Sequence, residues 1–420
     1  MNFRLLASAC AALMVSAAPL AAAAAQPHSP WTTAWATALQ PIPQLADPPP
    51  LYRAPDVAQR TVRQILYPTL SGSVVRLHIS NVYGKSPLVI EQMVLARAVT
   101  GAKTRGGSEV PVTFSGKRAV TVAPGAELDS DAMHMEIVAG APYAVSTYLG
   151  AGQRMVAWHR VSSQTNYVSA PGNHTEDATD AAYRQRFTQF AWVTALSVEA
   201  PSAVAVATIG DSITDGMRSS LNQNRRWPDA LARRLAQAGD RSTAVVNLGI
   251  SGNRLLSDSP CYGDALVSRF QRDVLQRPGV RTAILLVGIN DINFAAMPPR
   301  AGLDCDAPHT RVTADSLIAG YRQVIAAAHA HGIRLLGATL TPASLPPERE
   351  STRLAVNQWI RTSRAFDGVV DFDAALRDPA QPAQLRRAFD SGDHIHPSDE
   401  GYAAMAEAIP LSSLVESAAK

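Results

Sequence analysis

Four short blocks of this chain carry residue types that can do chemistry together. The first is GDSITDG at 210–216, where Ser212 lies on a tight turn between an apolar strand pattern and a helix. A serine there presents an exposed hydroxyl, and backbone N–H groups near a helix N-terminus favour negative charge on an attacked carbonyl oxygen. Gly210 lets the backbone turn sharply without a side-chain clash. The second block, NLGISGN at 247–253, offers glycines whose N–H can approach a substrate oxygen because no Cβ intrudes. The third, GIND at 288–291, offers the side-chain amide of Asn290 as a donor. The fourth, DHIHP at 393–397, puts a carboxylate and two imidazoles on one loop. Each block alone is ordinary loop chemistry.

A hydroxyl is a poor nucleophile until a base takes its proton. His396 can be that base, with Asp393 holding the ring tautomer and stabilising the imidazolium. His394 competes for the role. The two histidines also form an H-x-H pair, but no companion ligand set with recognisable spacing accompanies them, so neither metal nor cofactor is expected. Asp211, Asp215, Asn253 and Asp291 flank the blocks and are expected to hold loops by hydrogen bonds to backbone. Trp227, Phe294 and Tyr402 are core residues more readily than pocket walls. The chain has no G-x-S-x-G elbow, which separates it from the α/β-hydrolase arrangement, and no phosphate-binding P-loop.

The elements that must position these blocks follow a clear rhythm. Apolar strand patterns at 204–209, 244–248, 282–287, 333–339 and 369–372 alternate with helix patterns at 227–237, 266–275, 314–330, 353–365 and 398–408, the last with Ser398 as its cap. Such alternation predicts βαβ units and a parallel sheet covered on both faces. Active sites of these sheets lie beyond the carboxyl ends of the strands, where the blocks fall. Residues 62–193 read differently. Short β-branched runs at 74–80, 88–95, 110–114, 119–122, 133–137 and 144–149, separated by turn clusters, predict an all-β sandwich or barrel. A proline-laden approach at 41–50 precedes this region, and a linker-like stretch at 197–202 follows it.

Taken in order, the four blocks resemble the SGNH hydrolase superfamily of GDSL-type lipases and esterases, over about residues 203–412. The resemblance implies a flavodoxin-like three-layer α/β/α sandwich. It implies Ser212 as nucleophile, Gly252 and Asn290 with the Ser212 N–H as oxyanion-hole donors, and Asp393 with His396 as the D-x-x-H pair, which favours His396 over His394. The first block reads GDSI rather than GDSL, a departure that removes nothing chemical. RLHISN at 76–81, SPL at 86–88, and Ser130 with Asp131 resemble the jelly-roll-like β-domain found ahead of some exported members. Tandem domains of this kind occur among carbohydrate esterases, so the analogy implies a domain that helps place a glycan. The expected division is a signal peptide at 1–25, a β-sandwich at 26–196 and the hydrolase domain at 203–415.

The leader expectation rests on Arg4, an Ala-rich apolar run at 5–20, and small residues at 21–25 that offer a cleavage site. Ser8, Ser16 and Pro19 interrupt a stretch already short for a membrane span, so no transmembrane segment is expected after its removal, and Cys10 is a poor lipidation acceptor. An exported product leaves Cys261 and Cys305 as an even pair, which points to a disulfide worth about 4 kcal/mol in the chain-entropy model, or to two unpaired thiols. With 46% hydrophobic residues and a net charge of +3 over 420 residues, the chain can bury a sizeable core and has no basic run to mark nucleic acid as a partner. The expected partner is a small-molecule or glycan ester, with acetyl or short-chain esters favoured by the lack of a long apolar lid. Two alternatives use the same features: a glycan O-acetyltransferase with the same site, and a glycan-binding protein with a degenerate hydrolase domain. Oligomeric state is not assigned.

Overall fold

The computed structural model describes residues 29–414, so the leader expected at 1–25 lies outside the described residues. From Trp31 to Glu199 the chain forms antiparallel β-structure in two main sheets. One runs Trp31–Ala36, Val193–Glu199, Gly72–Ser80, Glu127–Asp129, with Met133–Ile137 also on Gly72–Ser80. The other is seven-stranded, in the order Tyr183–Phe187, Asn166–Pro171, Arg60–Leu66, Tyr143–Leu149, Leu88–Arg97, Val110–Val112, with Val120–Val122 also on Leu88–Arg97. Alternation decides the inner face: Val75, Leu77 and Ile79 of one strand are buried, and they join Val62, Ile90 and Met93 of the other sheet in one core. This is the expected β-sandwich.

Its carboxy-terminal limit differs from the expected one. The first part of the stretch read as a linker, Ser197–Glu199, belongs to Val193–Glu199, a strand that pairs with both Trp31–Ala36 and Gly72–Ser80. The sandwich therefore passes residue 196 and ends at Glu199. Its small and polar residues disguised a strand whose burial comes from both neighbours. The strand Trp31–Ala36 was also unpredicted, and it has a second task. It lies beside the edge of the next sheet, where Thr33 N–H donates to the Pro278 carbonyl, 2.9 Å away. Thr69, bonded to Ala34, both donates to and accepts from the Val245 backbone at 2.9 Å. A side chain thus satisfies backbone groups on an edge strand of the parallel sheet.

That parallel sheet has five strands in the spatial order Thr243–Gly249, Val204–Gly210, Val280–Leu286, Arg334–Ala338, Gly368–Val370. In chain order this is 2-1-3-4-5, the doubly wound flavodoxin-like arrangement. The strands are almost wholly buried, as helices cover both faces. Trp227–Gln237 packs with Asp399–Glu407, while Leu266–Phe270, Ala314–Ala330 and Pro347–Thr362 form a second group. Ser398 caps its helix as expected, accepting from the Gly401 N–H. The predicted helix at 353–365 starts earlier, at Pro347, with Glu348 and Glu350 in its first turn; proline at a helix start and acidic residues near the N-terminus suit that position. The predicted helix at 266–275 changes at Phe270 into a wider π-helical turn over Gln271–Leu275.

The switch in strand order falls at Val204–Gly210, whose neighbours run on to the second and third blocks. Sheets of this kind open their ligand crevice at that point, beyond the carboxyl ends of the strands.

Candidate active site

Ser212 opens a short helix, Ser212–Asp215, immediately after the central strand. Asp211 caps it by accepting from the Ile213 N–H at 3.0 Å. The turn needs glycine at Gly210, because a Cβ there would come within 2.0 Å of the Leu286 carbonyl oxygen. Ser212 is 5% exposed. Its Oγ lies 2.8 Å from His396 Nε2, and His396 Nδ1 lies 2.8 Å from Asp393 Oδ2. Asp393 Oδ1 accepts from the His396 and Ile395 N–H groups at 2.8 and 3.1 Å. Burial opposes charge on Asp393, but the His396 N–H and ring, with the Ile395 N–H, outweigh it and hold the carboxyl well below the usual carboxylate range. An ionised Asp393 takes the Nδ1 proton as its partner, which leaves Nε2 to accept from the serine hydroxyl. His394 turns away: its backbone is left-handed, its ring is largely exposed, and Nδ1 bonds Asp390 at 2.6 Å.

The other donor residues follow the two strands that flank Val204–Gly210. Asn290, 8% exposed, donates through Nδ2 to the Asn253 carbonyl at 3.0 Å, which orients its amide and leaves a second N–H. Gly252 has φ +85°, and a Cβ there would fall 2.4 Å from the Tyr262 ring. Among the described residues, the backbone N–H groups of Ser212 and Gly252 donate to no other protein group. The blocks are tied to one another as well. Ile250 N–H donates to the Gly210 carbonyl at 3.0 Å, and Asp215 accepts from the Ser251 N–H and Oγ at 2.8 and 2.6 Å. Asp291 accepts from the Leu255 and Leu256 N–H groups at 2.8 and 3.0 Å, and Asn253 donates to the Tyr262 and Asp264 carbonyls at 2.9 and 2.8 Å. The four flanking polar residues hold loops, as their types suggested. Trp227 and Tyr402 are core; Phe294 is partly exposed beside Tyr262, ring centroids 5.4 Å apart.

Several contributors escaped the sequence reading. Arg269 is buried beneath the site, where it donates to the Gly210 and Leu248 carbonyls and to Asn253 Oδ1 at 2.9 Å and pairs with Asp273 at 3.0 Å. An arginine and an aspartate four apart in an apolar helix were the available signal. His159 arrives from the β-domain with no local signal at all. Its Nε2 lies 3.0 Å from Asp215 Oδ1, so the sandwich reaches the carboxylate that holds the second block. Tyr262 is held between Cys261, disulfide-bonded to Cys305, and the Gly252 turn. Among the described residues, no cluster of three or more metal-ligating side chains occurs.

Asp211 offers a test independent of turnover. Burial above all, helped by the charges of Asp291 and Asp215, pushes its carboxyl up to about 7 against the cap bond from Ile213. A folded-state value above the unfolded one makes a stability contribution that is complete below pH ~4 and lost as pH rises through ~7. Asp211→Asn keeps an acceptor for the cap and does not titrate. Urea midpoints measured from pH 4 to 8 are expected to fall less steeply with pH in this variant than in the wild type; parallel curves would refute the assignment.

Residues 208–404 match the family model described as the GDSL-like lipase/acylhydrolase family. No curated protein sequence matches the chain. Among solved structures, an acetylxylan esterase from Geobacillus stearothermophilus is 22% identical with a TM-score of 0.37, covering 49% of this chain and 92% of its own. A GDSL-like lipase from Bacteroides thetaiotaomicron is 19% identical with a TM-score of 0.33, covering 48% of this chain and 84% of its own. A G-D-S-L family protein from Desulfitobacterium hafniense is 22% identical with a TM-score of 0.37, covering 49% of this chain and 97% of its own. The nucleophile-type turn, the two donor loops and the Asp–His loop lie within one parallel-sheet domain that the family model spans, and that domain of the chain belongs to the GDSL-like lipase/acylhydrolase family of carboxylic ester hydrolases.

Proposed function

We propose that this protein is an exported serine esterase of acetyl or other short-chain esters, including those on carbohydrate, with Ser212 as its nucleophile. The observation that carries the reading is the 2.8 Å approach of Ser212 Oγ to His396 Nε2, with Asp393 on the opposite nitrogen. His396 takes the Ser212 proton as Oγ attacks the ester carbonyl. The tetrahedral oxyanion accepts from the Ser212 and Gly252 N–H groups and the free N–H of Asn290. The carbonyl re-forms as the C–O bond to the alcohol breaks, and His396 returns the proton to that alcohol. Water, deprotonated by His396, then attacks the acyl-serine, and the same oxyanion is held before Ser212 leaves with its proton restored.

The Cys261–Cys305 bond supports an oxidising compartment, in keeping with the leader pattern at 1–25. The test is hydrolysis of 4-nitrophenyl acetate, butyrate and a long-chain ester by the purified protein beside its Ser212→Ala variant. Serine-dependent turnover that falls with acyl length is the expected result. Absence of serine-dependent turnover on every ester would overturn the proposal.

A further inference from the structure

Arg160 stands out among the charged side chains near the site. It follows His159 directly and is 8% exposed, yet its guanidinium makes no hydrogen bond or ion pair among the described residues. Its Nε is sealed from solvent with no acceptor in reach. What surrounds the cation is aromatic: Cζ lies 5.6 Å from the centre of the Tyr52 ring and 5.8 Å from that of Tyr262. Burial raises both phenols, Tyr262 to about 12, so neither supplies a negative charge at neutral pH. The nearby Asp306 carboxylate is 3.7 Å from Arg300, and its backbone carbonyl takes a hydrogen bond from Arg254.

A guanidinium whose Nε is buried with no acceptor and which has no hydrogen-bonded anion is costly, and cation–π contact offsets only part of that cost. A buried polar group without a partner calls for a functional explanation. The location gives this one a meaning. Tyr262 bridges the distance, because its ring borders Arg160 and also lies against Gly252, the proposed oxyanion-hole residue. The neighbouring His159, set 3.0 Å from Asp215, fixes this segment of the sandwich onto the loops of the hydrolase domain.

We infer that Arg160 recognises a carboxylate carried by the ester substrate, making the β-domain a specificity element of the active site. The planar fork of a guanidinium pairs with a carboxylate through two parallel hydrogen bonds, and its semi-buried setting strengthens them. The substrate class is therefore an ester bearing an acid group within reach of the scissile carbonyl, such as an acetylated sugar acid or a half-ester of a dicarboxylic acid. This inference rests on the esterase reading above.

The test compares matched pairs of esters. For a charge on the acyl side, 4-nitrophenyl hydrogen succinate is set against 4-nitrophenyl butyrate; for one on the alcohol side, 3-acetoxybenzoate against phenyl acetate. In the wild type, kcat/KM for the charged member is expected to exceed that for the neutral member in at least one pair. Arg160→Gln is expected to lower that charged-to-neutral ratio roughly 10- to 100-fold, chiefly through KM of the charged ester. Arg160→Lys is expected to recover part of the ratio, since it keeps the charge and loses the fork. A ratio unchanged in Arg160→Gln, whether both members fall together or neither does, overturns the inference and leaves Arg160 a packing residue. So does a wild type that prefers the neutral member of both pairs. In either case Ser212-dependent turnover of the neutral esters keeps the esterase reading intact, whereas its absence removes that reading first.

Discussion

Ser212→Ala abolishes measurable ester hydrolysis, with kcat/KM expected to fall roughly 10⁴- to 10⁶-fold while the far-ultraviolet circular dichroism stays that of the wild type. The size follows from the geometry. Ser212 Oγ is the atom that His396 Nε2 faces at 2.8 Å, and no other hydroxyl among the described residues bonds that nitrogen. The substitution leaves the backbone N–H at 212 in place and the cap from Asp211 to Ile213 intact, so the turn is expected to keep its shape. What remains is the oxyanion site without an attacking group, which accounts for a residual rate above that of water. His396→Ala is expected to match this loss, because base and nucleophile act as a unit. Steady-state kinetics on a 4-nitrophenyl ester checks both; turnover in Ser212→Ala above about one hundredth of wild type would contradict the assignment.

Asn290→Ala is the second large effect, a fall of about 10²–10³ in kcat with KM little changed. One N–H of the Asn290 amide is already engaged by the Asn253 carbonyl, so the side chain is oriented before any substrate arrives. A donor that meets charge only as the tetrahedral intermediate forms lowers the barrier rather than the ground state. The substitution also leaves the Asn253 carbonyl without its partner, next to Gly252. Thermal melting separates the contributions. A small drop in Tm with the full kinetic loss supports the oxyanion role, and a kinetic loss smaller than about tenfold argues against it.

Much of the hydrolase domain was legible because its information is local. Each parallel strand is a short apolar run, and the chemical blocks sit directly at strand ends, so chain order alone lines up Ser212, Gly252 and Asn290. The predicted helices at 227–237 and 314–330 coincide with Trp227–Gln237 and Ala314–Ala330, where amphipathic periodicity and capping agree. The β-domain was less legible. Its strands at 72–80 and 133–137 alternate cleanly, but Val193–Glu199 is flanked on both sides by other strands, and burial on both faces erases the alternation that would have marked it.

By itself the sequence determined the chemistry on offer: a serine on a tight turn, donors after the next two strands, and an aspartate three residues before the histidine. Those relations are short-range, and backbone geometry alone brings Asp393 to His396. The D-x-x-H resemblance already favoured His396 over His394; what three dimensions decided is that the His396 ring reaches across 184 positions to Ser212. They also decided everything the β-domain contributes. His159 beside Asp215 and Arg160 between two tyrosines are contacts between residues far apart in the chain, made when the strand Trp31–Ala36 docks on the parallel sheet. No periodicity or spacing encodes such pairings. They are set by how two separately patterned surfaces pack, and that packing sets Arg160 against Tyr52 and Tyr262.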